Sequence, residues 1–309
     1  MNYELKTLQT VLTALENSLY KKNAFTKHLK AAVKANDLEL ASNIVRGNFA
    51  TCKVVVPKLK RLDGVCISFH KNGEIAERFY LRKRKHEGSF YAYFPNGKLA
   101  RSYAYENNKL NGPYRSFYDN GRLQEERNYK NHKLDGPYLL WSRSGRLQES
   151  CSYTNGKIEI LFRYNGGKLL QKLKYKNGKL HGHCQEWHSN GKQSISSLYK
   201  NGKLDGSFQS WDRKGNLLER SSFKNDQLHG LYQRWYSNGV PAEKHTYRNG
   251  QLHGPSRTWH GNGKLARVCS YRNGQLEGSY QVWDRNGKLL EDCTYRNGEI
   301  VEVRVKTQS

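Results

Sequence analysis

No apolar run in the chain approaches the ~18 residues that a membrane-spanning helix needs. The amino terminus also lacks the basic start and apolar core of a signal peptide. Apolar residues of all kinds make up only 36% of 309 residues, too few for a deep aliphatic core. Six prolines and a single methionine occur. The six cysteines (Cys52, Cys66, Cys151, Cys184, Cys269, Cys293) form no Cys-x-x-Cys pair, which removes the usual zinc and redox signatures. Acidic residues are in deficit, 27 against 53 Lys plus Arg, leaving a net charge of +26. These absences point to a soluble intracellular protein with reduced thiols, and its charge sign attracts polyanions such as nucleic acid, anionic lipid or acidic protein.

What the chain does have is glycine and rings: 28 Gly, 21 Tyr, 10 Phe and 6 Trp. They recur with a period. Units of 24 residues open at Pro57, Leu81, Tyr105, Tyr129, Tyr175, Tyr199, Phe223, Tyr247 and Tyr271, and Tyr153–Lys174 is a shortened unit of 22. Within this frame the eighth position is Gly in every unit except the short one, which has Ile160, and the seventeenth is always Gly. The third position is Asn from Asn107 to Asn297, and all six tryptophans fall on the thirteenth.

Asn-Gly pairs such as Asn177-Gly178 and Asn190-Gly191 favour hairpin turns, because both residues tolerate positive φ. Two turns per unit leave two short strands, so each unit reads as a β-hairpin that stacks on its neighbours. The expected fold is an all-β repeat: an elongated, single twisted antiparallel sheet of stacked 24-residue hairpins over residues 57–309. The short unit is expected as a defect in that array, with one strand or turn shortened, rather than a boundary. The eighth-position Gly is expected where a neighbouring backbone or ring leaves no room for a Cβ, and the tryptophans are expected in the core.

Residues 1–56 read differently, as a small α-helical cap or docking segment. Leu5, Leu8, Leu12, Leu15 and Leu19 alternate in helical steps, Phe25, Leu29 and Val33 continue a second helix, and Asn36 with Glu39 resembles a capping box for a third. At the other end, Val301, Val303 and Val305 alternate with charged residues as a last strand.

The recurring Tyr-(Lys/Arg)-Asn-Gly-x-Leu-x-Gly followed by Trp-x-x-Asn-Gly-x-Leu resembles the variant class of MORN repeats over residues 57–309. With its basic charge and helical prefix, the chain looks most like the basic MORN-repeat proteins of large DNA viruses of amoebae. That resemblance implies a scaffold or binding surface, and a place in a virion or host cytoplasm if the protein is viral. Lipid contact, protein assembly and antitoxin-like neutralisation of another protein also occur among what such repeats imply.

Enzymatic chemistry finds no support in the pattern. A catalytic pocket needs unlike residues converging, whereas a repeat lays like residues in rows. No nucleophile elbow, phosphate loop or zinc-protease motif occurs. His229 and His253 share position seven of adjacent units, which a hairpin array sets about 9.5 Å apart, too far for one zinc ion. Cys269 and Cys293 share position 23 and, at the same spacing, lie beyond the ~7 Å disulfide limit. A non-enzymatic protein with no metal, cofactor or small-molecule substrate is expected.

Function is therefore sought in charge. Lys176, Lys200, Lys224, Arg248, Arg272 and Arg296 hold the second position of consecutive units, beside one turn. Lys98, Arg122, Arg146, Lys168, Lys192, Lys264 and Lys288 hold the eighteenth, beside the other. Position 21, mid-strand, is often acidic: Glu77, Glu125, Glu149, Glu219, Glu243 and Glu291. The cations thus mark two edges, and two readings stay open: contact with a polyanion, foremost nucleic acid without sequence preference, through the six position-two cations as the candidate binding residues, or plain solubility. Protein partners through the helical amino terminus, or peripheral contact with a membrane surface, are the alternatives.

Overall fold

The computed structural model describes residues 9, 12, 13, 24–35, 37, 40, 41, 44, 64–70, 72, 74–83 and 85–306. The chain divides into two compact units, residues 1–157 and 158–309, and the division falls inside the short repeat. Each unit is an antiparallel array in which strands pair with their sequence neighbours.

The repeat dictates both strands of every hairpin. One strand covers positions five to thirteen, as in Lys203–Trp211, and the next runs from position nineteen into position two of the following unit, as in Leu217–Lys224. Asn201 and Gly202, with φ of +54° and +89°, form the two-residue loop between Lys200 and Lys203, the primed turn that suits strand twist. At the other end, positions fourteen to eighteen form a wider loop closed through a bulge, as between Ser210 and Trp211. The short repeat lacks two residues here, so Asn165 and Lys168 pair directly across Gly166-Gly167.

The eighth-position Gly is a kink in the long strand. Tyr199 pairs with Leu204 but Ser197 pairs with Phe208, so two extra residues, Asp205 and Gly206, are absorbed where Gly206 adopts φ +122°. Only Gly takes this backbone freely. At Gly206 a Cβ would also lie 2.5 Å from Leu198 Cδ2. At Gly88, Gly112 and Gly278 nothing lies within 4 Å, so conformation, and not crowding, is the common reason for this glycine.

One face is packed by cross-strand pairs of positions ten and 23. In the first unit the pairs Phe90–Tyr103 and Tyr114–Arg127 are large on both sides, while Tyr138 faces Cys151. Phe90 stacks on Tyr103 with centroids 4.5 Å apart, Tyr103 on Tyr114 at 5.4 Å, and Phe79 on Phe90 at 5.5 Å. The Arg127 guanidinium ends this stack 4.3 Å over Tyr114. In the second unit Phe208 lies opposite Ser221 and Tyr280 opposite Cys293, each small partner buried. Tyr232 instead faces His245, and Cys184–Ser197 and Ser256–Cys269 are small on both sides. Position-ten rings then meet the following position-one rings edge to face, as Tyr232 meets Tyr247 and Tyr280 meets Tyr295. Cys151, Cys184, Cys269 and Cys293 are buried thiols in no disulfide, matching the sequence reading.

The tryptophans depart from expectation. All six are half-buried, because each sits at the bulge that opens the wide loop, Trp211 opposite Leu217 and Trp283 opposite Leu289.

At the amino terminus the helix Ala24–Lys34 buries Leu29 and Ala32. The first expected helix lies largely outside the described residues, as do Asn36 and Glu39 of the expected capping box. A neighbouring residue caps the next helical turn instead: Asp37 Oδ1 accepts from Leu40 N at 2.9 Å, the bonding of an N-cap. The last strand, Glu299–Lys306, is present, but its Val301 and Val303 are exposed. No helix among the described residues is long and apolar enough to cross a membrane.

Candidate functional site

In the second unit, every position-two cation ends a long strand at a two-residue loop, Asn-Gly in five cases and Asn225-Asp226 after Lys224, so all six lie along one edge. Their cross-strand partners at position five differ. Lys176 faces Lys179 and Lys200 faces Lys203, Lys224, Arg248 and Arg272 each face a Gln, and Arg296 faces Glu299.

The backbone of these loops is satisfied by the preceding repeat. Gly202 N donates to Leu180 O at 2.8 Å, and Gly250 and Gly274 repeat the bond to Leu228 and Leu252. The Asn N–H of each loop donates to a position-seven side chain: Asn225 to Asp205 at 3.3 Å, Asn249 to His229 at 3.4 Å, Asn273 to His253 at 3.4 Å and Asn297 to Glu277 at 2.9 Å. Position seven is therefore an acceptor post, which explains its recurring Asp, Glu and His. Its histidines are occupied holding loops.

The cations of the opposite edge have structural work as well. Lys98 Nζ donates to Asn120 O at 3.3 Å, Arg122 Nη1 to Ser144 O at 2.5 Å, Lys264 Nζ to Asn286 O at 2.8 Å, and Lys192 Nζ to Lys214 O. Asn side chains join this ladder, as Asn190 Nδ2 does to Arg213 O at 2.7 Å. The sequence reading put the polyanion on the position-two edge, and the structure gives four cations of the opposite edge a role in holding loops. The mid-strand acids pair locally, Glu125 with Arg127 at 3.2 Å and Glu243 with Arg234 at 3.2 Å.

The position-two row forms no such ladder, and of the opposite edge Arg146, Lys168 and Lys288 are likewise exposed outside it. Lys176, Lys200, Lys224, Arg248, Arg272 and Arg296 are all exposed, and no ion pair among the described residues includes them. Lys179 and Lys203, which sequence reasoning passed over, are exposed beside them. The signal was available at position five of the frame.

Two histidines, half-buried His86 and buried His245, set a pH limit on the fold. His86 occupies the sixth position, where most units have Leu, against Tyr105 at 4.8 Å and Phe79 at 5.1 Å. His245 lies on Tyr232, with Nδ1 2.8 Å from Ser256 Oγ and Nε2 3.3 Å from Glu243 Oε2. A neutral ring satisfies both contacts, accepting the Ser256 hydroxyl and donating to the carboxylate. Burial pushes both pKa values below the ordinary 6.5, and outweighs the opposing pull of Glu77 on His86 and of Glu243 on His245. A depressed folded pKa means that the unfolded chain protonates first as pH falls below about 6.5. Stability should then be full above that value and fall as acid is added toward pH 5. Urea melts across this window check the sign: His86→Leu and His245→Ser should flatten the fall, and an unchanged slope in both would contradict it.

Six segments of the chain match the family model for the MORN repeat variant: residues 87–107, 110–131, 204–225, 228–249, 252–273 and 276–297. These matches support a MORN-repeat protein, a class whose repeats are generally structural or interaction modules. No curated protein matches the chain. Among solved structures, a TcdB2–TccC3–Cdc42 complex is similar at 13% identity over 78% of this chain and 14% of its own, with a TM-score of 0.19. A Photorhabdus luminescens Tc holotoxin pore is similar at 13% identity over 85% of this chain and 16% of its own, with a TM-score of 0.17. The chain spans less than a fifth of these much longer proteins, and scores so low carry no argument about fold or function.

Proposed function

We propose that the array is a non-enzymatic scaffold whose Asn-Gly edge in the second unit contacts a polyanion, foremost nucleic acid without sequence preference. The observation that carries this reading is the division of labour among the cations. Four position-eighteen cations (Lys98, Arg122, Lys192 and Lys264) hold the next loop, and several strand arginines pair with mid-strand acids. The six at position two are exposed and in no ion pair among the described residues, Arg296 alone having an acid, Glu299, across the strand pair. Exposed, regularly spaced point charges suit phosphate oxygens, and they reach no base edge, so sequence is not read. The reading places the protein where nucleic acid is accessible, inside a cell or a virion. The helix Ala24–Lys34 already buries Leu29 and Ala32, which favours a cap over a docking module for that segment.

The test is fluorescence anisotropy with labelled duplex DNA of two unrelated sequences. Similar affinities are expected, with log affinity falling by about 5 per decade of salt if roughly six phosphate contacts form. Absence of binding at about 50 mM salt, where such contacts are strong, would contradict the reading. Binding to phosphatidylserine vesicles instead would favour a membrane-surface scaffold.

A further inference from the structure

We propose that the polyanion is seated chiefly at one end of this edge, in a cradle formed by Lys176, Lys179, Lys200, Lys203 and Lys224, and that its bound chemistry is the phosphodiester backbone. The inference deepens the function proposed above and rests on it.

The charge of the edge is graded. Counting positions two and five together, successive loops carry +2 at Lys176 with Lys179, and +2 at Lys200 with Lys203. Lys224, Arg248 and Arg272 then carry +1 each opposite Gln227, Gln251 and Gln275. At the last loop Glu299 offsets Arg296. Like charges placed directly across a strand pair destabilise it, and here two consecutive loops bear such a pair. No ion pair among the described residues includes these lysines, although Asp205 and Asp226 lie near Lys203 and Lys224. The nearest carboxylates are committed to backbone, Asp205 accepting from Asn225 N at 3.3 Å and Asp226 from Leu204 N at 2.7 Å. Adjacent loops lie about 9.5 Å apart, near the Debye length, so their fields still overlap.

A groove of about 590 Å³ opens beside three of these lysines, Lys200, Lys203 and Lys224, and is lined also by Asn201, Asp205, Asn225 and His229. It gives the lysines a concave surface, where field lines converge. Compact ammonium groups act there as point charges on phosphate oxygens. A ligand phosphate bridging the opposed lysines relieves the repulsion that the free protein leaves unanswered.

Two variants of the full chain, each lacking three exposed charges, separate this cradle from an even row: Lys179→Gln/Lys200→Gln/Lys203→Gln, and Arg248→Gln/Arg272→Gln/Arg296→Gln. Both are titrated with labelled duplex DNA at about 50 mM salt, where the first should lose on the order of tenfold more affinity than the second. The first should also melt no lower than the parent, since it removes opposed lysines. Equal losses, or a larger loss in the arginine variant, would overturn the cradle while leaving contact along the row intact. A parent that binds no duplex would overturn the function proposed for the edge and the cradle with it. Phosphatidylserine vesicles bound in place of DNA would overturn nucleic acid as the partner.

Discussion

Phe90→Ala is expected to cost about 3–5 kcal/mol, the range for deleting a buried aromatic, and to lower the urea midpoint of the full chain accordingly. Phe90 is 7% exposed and lies between Phe79 and Tyr103 in the stack that ends on Arg127. Its loss would remove three ring contacts, with Phe79, His86 and Tyr103, and leave Tyr103 open to water. Burial is already the main cause that pushes the Tyr103 hydroxyl up to about 12, so the spectroscopic titration of tyrosine should move toward lower pH in the variant. Trp211→Ala provides the contrast. As a half-buried ring at a bulge it should cost about 1.5–3 kcal/mol, a partial burial value. Equal losses at the two positions would contradict this ranking.

That ranking could not be read from the sequence. A tryptophan at one fixed position of every later repeat has the signature of a core residue, and only the strand register shows that position thirteen lies on a bulge beside the wide loop. The elements legible beforehand were those fixed by local chemistry. Asn-Gly set the loops, the frame set both strands of each hairpin, and the two residues missing from Tyr153–Lys174 had to shorten a strand or a loop. Contacts between successive repeats were hidden. The bond from Asn249 N to His229 spans 20 residues, and that from Lys264 Nζ to Asn286 O spans 22. Neither has meaning until one loop is known to stack on the next. Recurrence of Asp, Glu and His at position seven was a visible clue, since all three accept a hydrogen bond. The two cation rows looked alike for the same reason: periodicity marks a position as important without saying whether its side chain serves the fold or faces outward.

The most direct test of the central claim is the salt dependence of duplex binding in a variant with all six position-two cations replaced: Lys176→Gln, Lys200→Gln, Lys224→Gln, Arg248→Gln, Arg272→Gln and Arg296→Gln. Exposed charges of this kind add little to stability, so the variant should fold and melt like the parent. Of the basic side chains beside these loops, Lys179 and Lys203 would remain. The slope of log affinity against log salt should therefore shrink from about −5 to about −2 or shallower, one contact contributing close to one unit. A well-folded variant whose slope stays at the parent value would show that the edge does not carry the contact.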